Sequence, residues 1–268
     1  MIPIWIMMPL MLVGVASGIT NSLFGFGGGF VVVPAMYWTM RSLGNLPEQI
    51  CMKIAVSTAL MALSVNTIHC VMRLHADKKI DWTRVVDYLL PIALGAMITS
   101  FTSQKLPGEI IRKLFALYLF IAIVINIQKK SIQTSTKSSW LWIYPFGMFV
   151  GSFASLVGVG GSVFTVSHFR RQGLQMQHCV PIAVTLVLPV SIIGTLSYIW
   201  AGWGEAAQLQ LPQYSLGYLN LPAVMPIVLG GYLGIEIGIF LVRWIPERLY
   251  VQCYIALLTI SFIAMIIK

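Results

Sequence analysis

The chain has 268 residues, of which 58% are apolar and 9% charged, and its mean hydropathy is +0.86; a soluble domain carries about 25% charge. These figures exclude a soluble enzyme, a nucleic-acid binder and a disordered chain. The 17 Lys and Arg against 8 Asp and Glu give a net charge of +9, but the basic residues stand between apolar blocks, where they set orientation in a lipid bilayer.

Eight apolar blocks follow in chain order, at about 3–40, 49–73, 84–103, 109–128, 140–169, 179–201, 219–242 and 246–267. A crossing helix needs about 20 apolar residues. The blocks predict an all-α polytopic membrane protein of about eight hydrophobic segments, with no room for a soluble domain. The first basic residue is Arg41, so no positively charged region precedes the first block and no cleavable signal is expected. Cys51, Cys70, Cys179 and Cys253 form no CxxC pair and suggest no disulfide framework.

An internal repeat organises the blocks. Residues 18–36 read GITNSLFGFGGGFVVVPAM, and residues 151–169 read GSFASLVGVGGSVFTVSHF. At an offset of 133, Gly18, Ser22, Leu23, Gly25, Gly27 and Gly28 match Gly151, Ser155, Leu156, Gly158, Gly160 and Gly161. At an offset of 128, CMKIAVST (51–58) resembles CVPIAVTL (179–186). Pro91 and Gly95 before Leu106-Pro107 resemble Pro226 and Gly230 before Ile245-Pro246. The expected organisation is a first half over 1–129, a linker over 130–136 within the polar run Lys129–Ser139, and a second half over 137–268.

Block 3–40 is cut by the glycine run 25–29, and block 140–169 by 158–162. Such runs break helices. A break inside the hydrocarbon is tolerated only where it is buried in protein or lines a cavity. Each cut block is either a kinked crossing or a hairpin that returns to its own side. With single crossings the basic residues split 8 to 9 between the two sides. With hairpins, Arg41, Lys53, Lys105, Arg112, Lys113 and Lys268 fall on one side and the other 11 fall opposite. The second split is the asymmetry of the positive-inside rule. It predicts inverted halves with both termini outside the cytoplasm.

Paired broken helices in inverted repeats mark the binding sites of transporters. After Gly29 a helix can restart through Phe30–Met40, and its first N–H groups lack intrahelical partners. Those groups and the helix dipole favour an anion. The candidate substrate-binding residues are Asn21, Ser22, Gly25, Gly27, Gly28, Gly29, Ser57 and Thr58 in the first half. In the second they are Ser155, Gly158, Gly160, Gly161, Ser162, Thr165 and Thr185. Plain close packing of helices is the competing explanation for small residues in a membrane. Finding two glycine runs at matching positions favours a site. The GFGGG run lacks the strand context of a dinucleotide or phosphate loop, and no cofactor is expected.

The phrase G-x-x-x-S-x-x-G-x-G-G-G-x-x-x-x-P, Gly18 to Pro34, resembles the signature of the TauE/SafE sulfite exporter family, also called the toluene-sulfonate uptake permeases. IDWTRVVDYLLPIALGAM with KLPGEIIRKLFALYL resembles that family's second half-unit, and LNLPAVMPIVLGGYLG with IPERLYVQCYIALL its duplicate. The resemblance spans nearly the whole chain. It implies a bacterial inner-membrane permease of about eight helices for sulfite, sulfoacetate, thiosulfate or other organosulfur or small organic anions. The second motif departs from the pattern, with Ser162 at the third glycine and Ser167-His168 where a proline is common. Thr185-Leu186 also lacks the second hydroxyl of Ser57-Thr58.

Glu236 lies seven residues before Arg243 at the end of its block, and an ionisable residue inside a membrane block is a functional candidate. A coupling proton on Glu236 or on His168 is one reading; an interfacial carboxyl and a hydrogen-bonded bundle histidine are the other. His69 sits one turn from Arg73, near the membrane face. Cys51 and Cys179 either touch a sulfur-containing substrate or fill apolar space. The tryptophans fall mostly at block ends, as an interfacial belt. No P-loop, HExxH or Ser/His/Asp constellation is present. The sequence therefore predicts no enzyme but a secondary permease that moves a small anion by alternating access. A membrane assembly protein is the alternative.

Overall fold

The computed structural model describes residues 4–25, 27–43, 46–103, 106–127, 140–205, 212, 214–242, 244 and 247–266. The expected linker 130–136 lies outside them. Ten helices occur among the described residues: α1 (Ile4–Phe24), α2 (Gly29–Ser42), α3 (Glu48–Ala76), α4 (Trp82–Ser103), α5 (Gly108–Ile127), α6 (Trp140–Val157), α7 (Ser162–Arg171), α8 (Met176–Glu205), α9 (Leu221–Leu241) and α10 (Glu247–Ile266). A short antiparallel hairpin, β1 (Ser215–Leu216) with β2 (Leu219–Asn220), precedes α9. Ten helices stand where the sequence suggests eight blocks, because each glycine run ends one helix and starts another. Among the described residues, four helices contain segments long and apolar enough to cross a membrane: Ile6–Phe24, Glu48–Ala76, Met176–Trp203 and Leu221–Leu241.

Helices α3 and α8 are the centre of the bundle, and both are mostly buried. They run antiparallel. Leu60 meets Gly194 midway, while Cys70, Val71 and Leu74 near the end of α3 cluster with Val180 and Val184 near the start of α8. Helix α3 has no internal proline, starts on Glu48 and ends with Arg73 and His75 in its last turn. Glu48 and Arg73 complement the helix dipole at its two ends.

The outer helices pair across the two halves of the chain. Helix α1 packs along α9 and α4 along α6. Both pairs run parallel: Gly14 meets Ile227, Gly18 meets Gly231 and Ser22 meets Gly238, while Gly147 meets Pro91 and Gly151 meets Ile92 and Ala96. A Cβ on Gly18 would overlap the Gly231 carbonyl, and one on Gly151 the Ile92 carbonyl. These backbones touch because the side chains are absent, the means by which helices associate where lipid removes the hydrophobic drive. Gly18 and Gly151 of the repeat are thus packing residues. The outward surface is apolar, with Met8, Leu141, Met225 and Phe240 each more than 60% exposed. Trp82, Trp142, Trp200, Trp203 and Trp244 are also exposed, toward helix ends.

Replacing Gly18 by Leu forces α1 from α9 and is expected to cost more than the roughly 1–3 kcal/mol of ordinary overpacking, since the obstacle is backbone. The thermal midpoint in detergent should fall clearly, while Leu229→Ala on the exposed face should leave it nearly unchanged.

Candidate functional site

Each glycine run places its glycines at positive φ: Gly25, Gly27 and Gly28 at 67–72°, and Gly158, Gly160 and Gly161 at 70–79°. Residues with a Cβ avoid that region. The turn folds the chain back on itself, so that Gly28 abuts Ser17 of α1 and Gly161 abuts Val150 and Ala154 of α6. Helices α2 and α7 then start from Gly28 and Gly161, and neither start carries a side-chain cap.

The two runs meet. Gly29, the first residue of α2, lies against Gly158 and Val159, so closely that a Cβ would overlap the Gly158 carbonyl. Gly158 in turn lies against Val56 of α3, and Gly25 against Val180 of α8. The two glycine runs are thereby placed against each other and beside the central α3–α8 pair. Ser57, next to Val56, and Ser162, the first residue of α7, are buried, and neither hydroxyl has a hydrogen-bond partner.

The remaining candidate side chains are engaged. Asn21 accepts from the Gly27 N–H at 3.1 Å and donates to Thr67 at 3.4 Å, so it pins the first turn. Ser22 donates to the Gly18 carbonyl at 3.0 Å and packs at the α1–α9 seam. Ser155 pairs with Ser100 between α6 and α4. Thr165 donates to the Ser162 carbonyl at 3.0 Å and Thr185 to the Pro181 carbonyl at 2.8 Å. Thr58 accepts from the Asn220 N–H at 3.3 Å and so ties the β-hairpin to α3.

Glu236 faces His69 at 3.1 Å and Arg73 at 2.9 Å, at the end of α3 far along the helix from Ser57. His69 stacks on Tyr232 with 3.9 Å between ring centres. Glu236 is thus ion-paired with Arg73 at the end of α3. His168 meets the Tyr88 hydroxyl at 2.8 Å and Gln172 at 2.9 Å and stacks on Phe146. Gln172 also accepts from Arg84 at 3.3 Å, so His168 belongs to a latch between α7 and α4. Cys51 and Cys179 are fully buried, and their thiols approach the Leu46 and Leu174 carbonyls at 3.7 and 3.6 Å. This matched local arrangement favours packing over contact with a substrate.

Sequence reasoning missed Asn220. Its side chain caps α9 by accepting from the Ala223 N–H at 3.1 Å, while its buried amide nitrogen has no partner. The signal was present, since Asn followed two residues later by Pro222 reads as a helix start.

The family model described as "Sulfite exporter TauE/SafE" matches residues 10–265. A Haemophilus influenzae protein named "Probable membrane transporter protein" is 28% identical over 261 residues, 96% of this chain and 97% of the relative. A protein of the same description from Methanocaldococcus jannaschii is 27% identical over 85% of each chain. One from Bacillus subtilis is 20% identical over 72% of this chain and 78% of its own. No solved structure matches the chain.

Glu236→Gln is expected to leave transport within about twofold of the parent at every pH tested, because the carboxyl pairs with Arg73 away from the glycine junction. Flux into proteoliposomes over a pH series checks this.

Proposed function

The chain belongs to the TauE/SafE sulfite exporter family, an integral-membrane transporter family rather than an enzyme family, and from that premise we propose that it is a secondary permease for a small anion. The substrates in view are sulfite, thiosulfate, an organosulfonate or a related organic anion. The binding site is the junction of the two glycine runs.

One observation carries the reading: the uncapped start of α2 at Gly29 lies against Gly158, in the same glycine run that leads into the uncapped start of α7, and the Ser57 and Ser162 hydroxyls, next in the chain to Val56 and Gly161, are buried and unpaired. A buried donor without an acceptor costs about 1–3 kcal/mol. Two such hydroxyls, one next to Val56 and one opening α7, make sense where an anion supplies the acceptors. Each helix start adds about half a positive charge. Together they attract an oxyanion without a fixed cation beside it, so that release remains possible. Glycine at the junction lets the anion reach backbone N–H groups.

The inverted-repeat reading, with halves at 1–129 and 137–268, also draws support from the helix directions. Equivalent helices α3 and α8 run antiparallel, and the α1–α2 and α6–α7 turns fold back toward opposite ends of the bundle. Arg41, Lys53, Arg112 and Lys113 lie toward the β-hairpin end, and Arg73, Lys78, Lys79, Arg84, Arg170 and Arg171 toward the other. By the positive-inside rule the second end faces the cytoplasm. Rocking of one half against the other about the shared junction would then expose the anion alternately.

Ser57→Ala and Ser162→Ala are the decisive variants. Each removes one charge-assisted hydrogen bond, worth about 1.5–3 kcal/mol, so kcat/KM for anion flux should fall about 10–100-fold. Thermal stability without anion should hold or rise, because an unpaired buried hydroxyl is gone. Wild-type liposomes that take up none of sulfite, thiosulfate, ethanesulfonate or acetate would sink the reading.

A further inference from the structure

Lys53 stands apart from the basic residues that have acidic partners. Arg73, Lys79, Arg84 and Arg112 each pair with a carboxylate. Among the described residues Lys53 has none. It is partly buried on α3, its ammonium donates to the Tyr218 hydroxyl at 3.2 Å, and it lies 5.0 Å from the centre of the Tyr218 ring. Tyr218 is itself 1% exposed. This is no surface lysine reaching for water. The β-hairpin lies over it, fixed on one side by the Asn220–Thr58 hydrogen bond and on the other by Gly217 and Tyr218 against Ile199 and Gly202 of α8.

Two buried donors, one a turn along α3 and one on the β-hairpin, are unsatisfied. Ser57 follows Lys53 by four residues, one turn on, and so shares its face of α3. Its hydroxyl is fully buried without a partner. Asn220, 1% exposed and held against Thr58, keeps its side-chain amide nitrogen unpaired. A cation, a hydroxyl and an amide N–H, with no carboxylate paired to them among the described residues, make a set that an anion satisfies together. The repeat does not duplicate the cation: Pro181 occupies the position in α8 that Lys53 occupies in α3.

We propose that Lys53, Tyr218 and Asn220 form a one-sided receiving station for the anion, between the β-hairpin end of the bundle and the glycine junction, with Ser57 shared between the two. The inference rests on the permease reading. An oxyanion arriving from this end meets Lys53 first, displaces the ammonium from Tyr218 and passes to Ser57. At the other end the equivalent position is Pro181, which carries no charge. The two faces of the protein therefore differ in apparent affinity although the halves share one plan.

The test uses the full-length protein in oriented proteoliposomes with 35S-labelled sulfite and thiosulfate, supplied from either face. Lys53→Met should raise KM about tenfold or more from the β-hairpin face, with KM from the other face and Vmax within about twofold. Lys53→Arg should restore most of the affinity, and Tyr218→Phe, which keeps the ring, should raise KM about threefold from the same face. A Lys53→Met KM unchanged on both faces, or raised equally on both, overturns the station while wild-type flux still upholds the permease. Absence of both wild-type flux and anion-induced thermal stabilisation overturns the permease reading, and the station with it.

Discussion

A chain that stops being helical inside hydrocarbon must cover the peptide groups it releases. That constraint organises the molecule. Here the two interruptions lie against each other at Gly29 and Gly158, and against the central helices at Val56 and Val180. The side chain of Asn21 takes up the Gly27 N–H, and the Asn21 and Ala154 carbonyls accept from Gly25 and Gly158. Breaks placed singly, facing lipid, would carry the full cost of unpaired backbone. Placed together within protein, they cover one another.

Bringing the breaks together requires the outer helices to approach closely. The α1–α9 and α4–α6 seams meet this need with glycines facing carbonyls, at Gly14, Gly18, Gly230 and Gly234 on one side and Gly95 and Gly151 on the other. Each seam joins the first half to the second, so the chain is interlocked rather than a pair of separable units. Among the described residues, polar contacts between helices lie both toward the ends, at Glu48 with Arg112 and Tyr37, Glu236 with Arg73 and His168 with Tyr88, and within the bundle, at Asn21 with Thr67 and Ser155 with Ser100. Ser57 and Ser162 stay outside these contacts.

The repeated glycines were readable as breaks, because only a special backbone explains the same run at the same place in both halves. Their separate jobs were not readable. Gly18 and Gly28 belong to one motif, yet one brings two helices together and the other starts a helix. Nor could the sequence sort the hydroxyls. A serine or threonine in a helix satisfies itself on the carbonyl three or four residues back, as Ser22, Thr165 and Thr185 do. Ser57 and Ser162 look no different in the sequence, and they emerge only because they have no such partner. Glu236 was readable as unusual but not as paired, since the geometry that brings it to Arg73 spans 163 residues.

By itself the sequence determined that this is a polytopic membrane protein, and it showed two glycine runs 133 residues apart that break the blocks they stand in. Those are properties of composition and period, which local residues carry. The tertiary structure alone decided that the two breaks touch, that the outer helices pair across halves, and that Lys53 lies under Tyr218. Each of these depends on residues far apart in the chain, and their meeting is set by how whole helices pack, which no local pattern records.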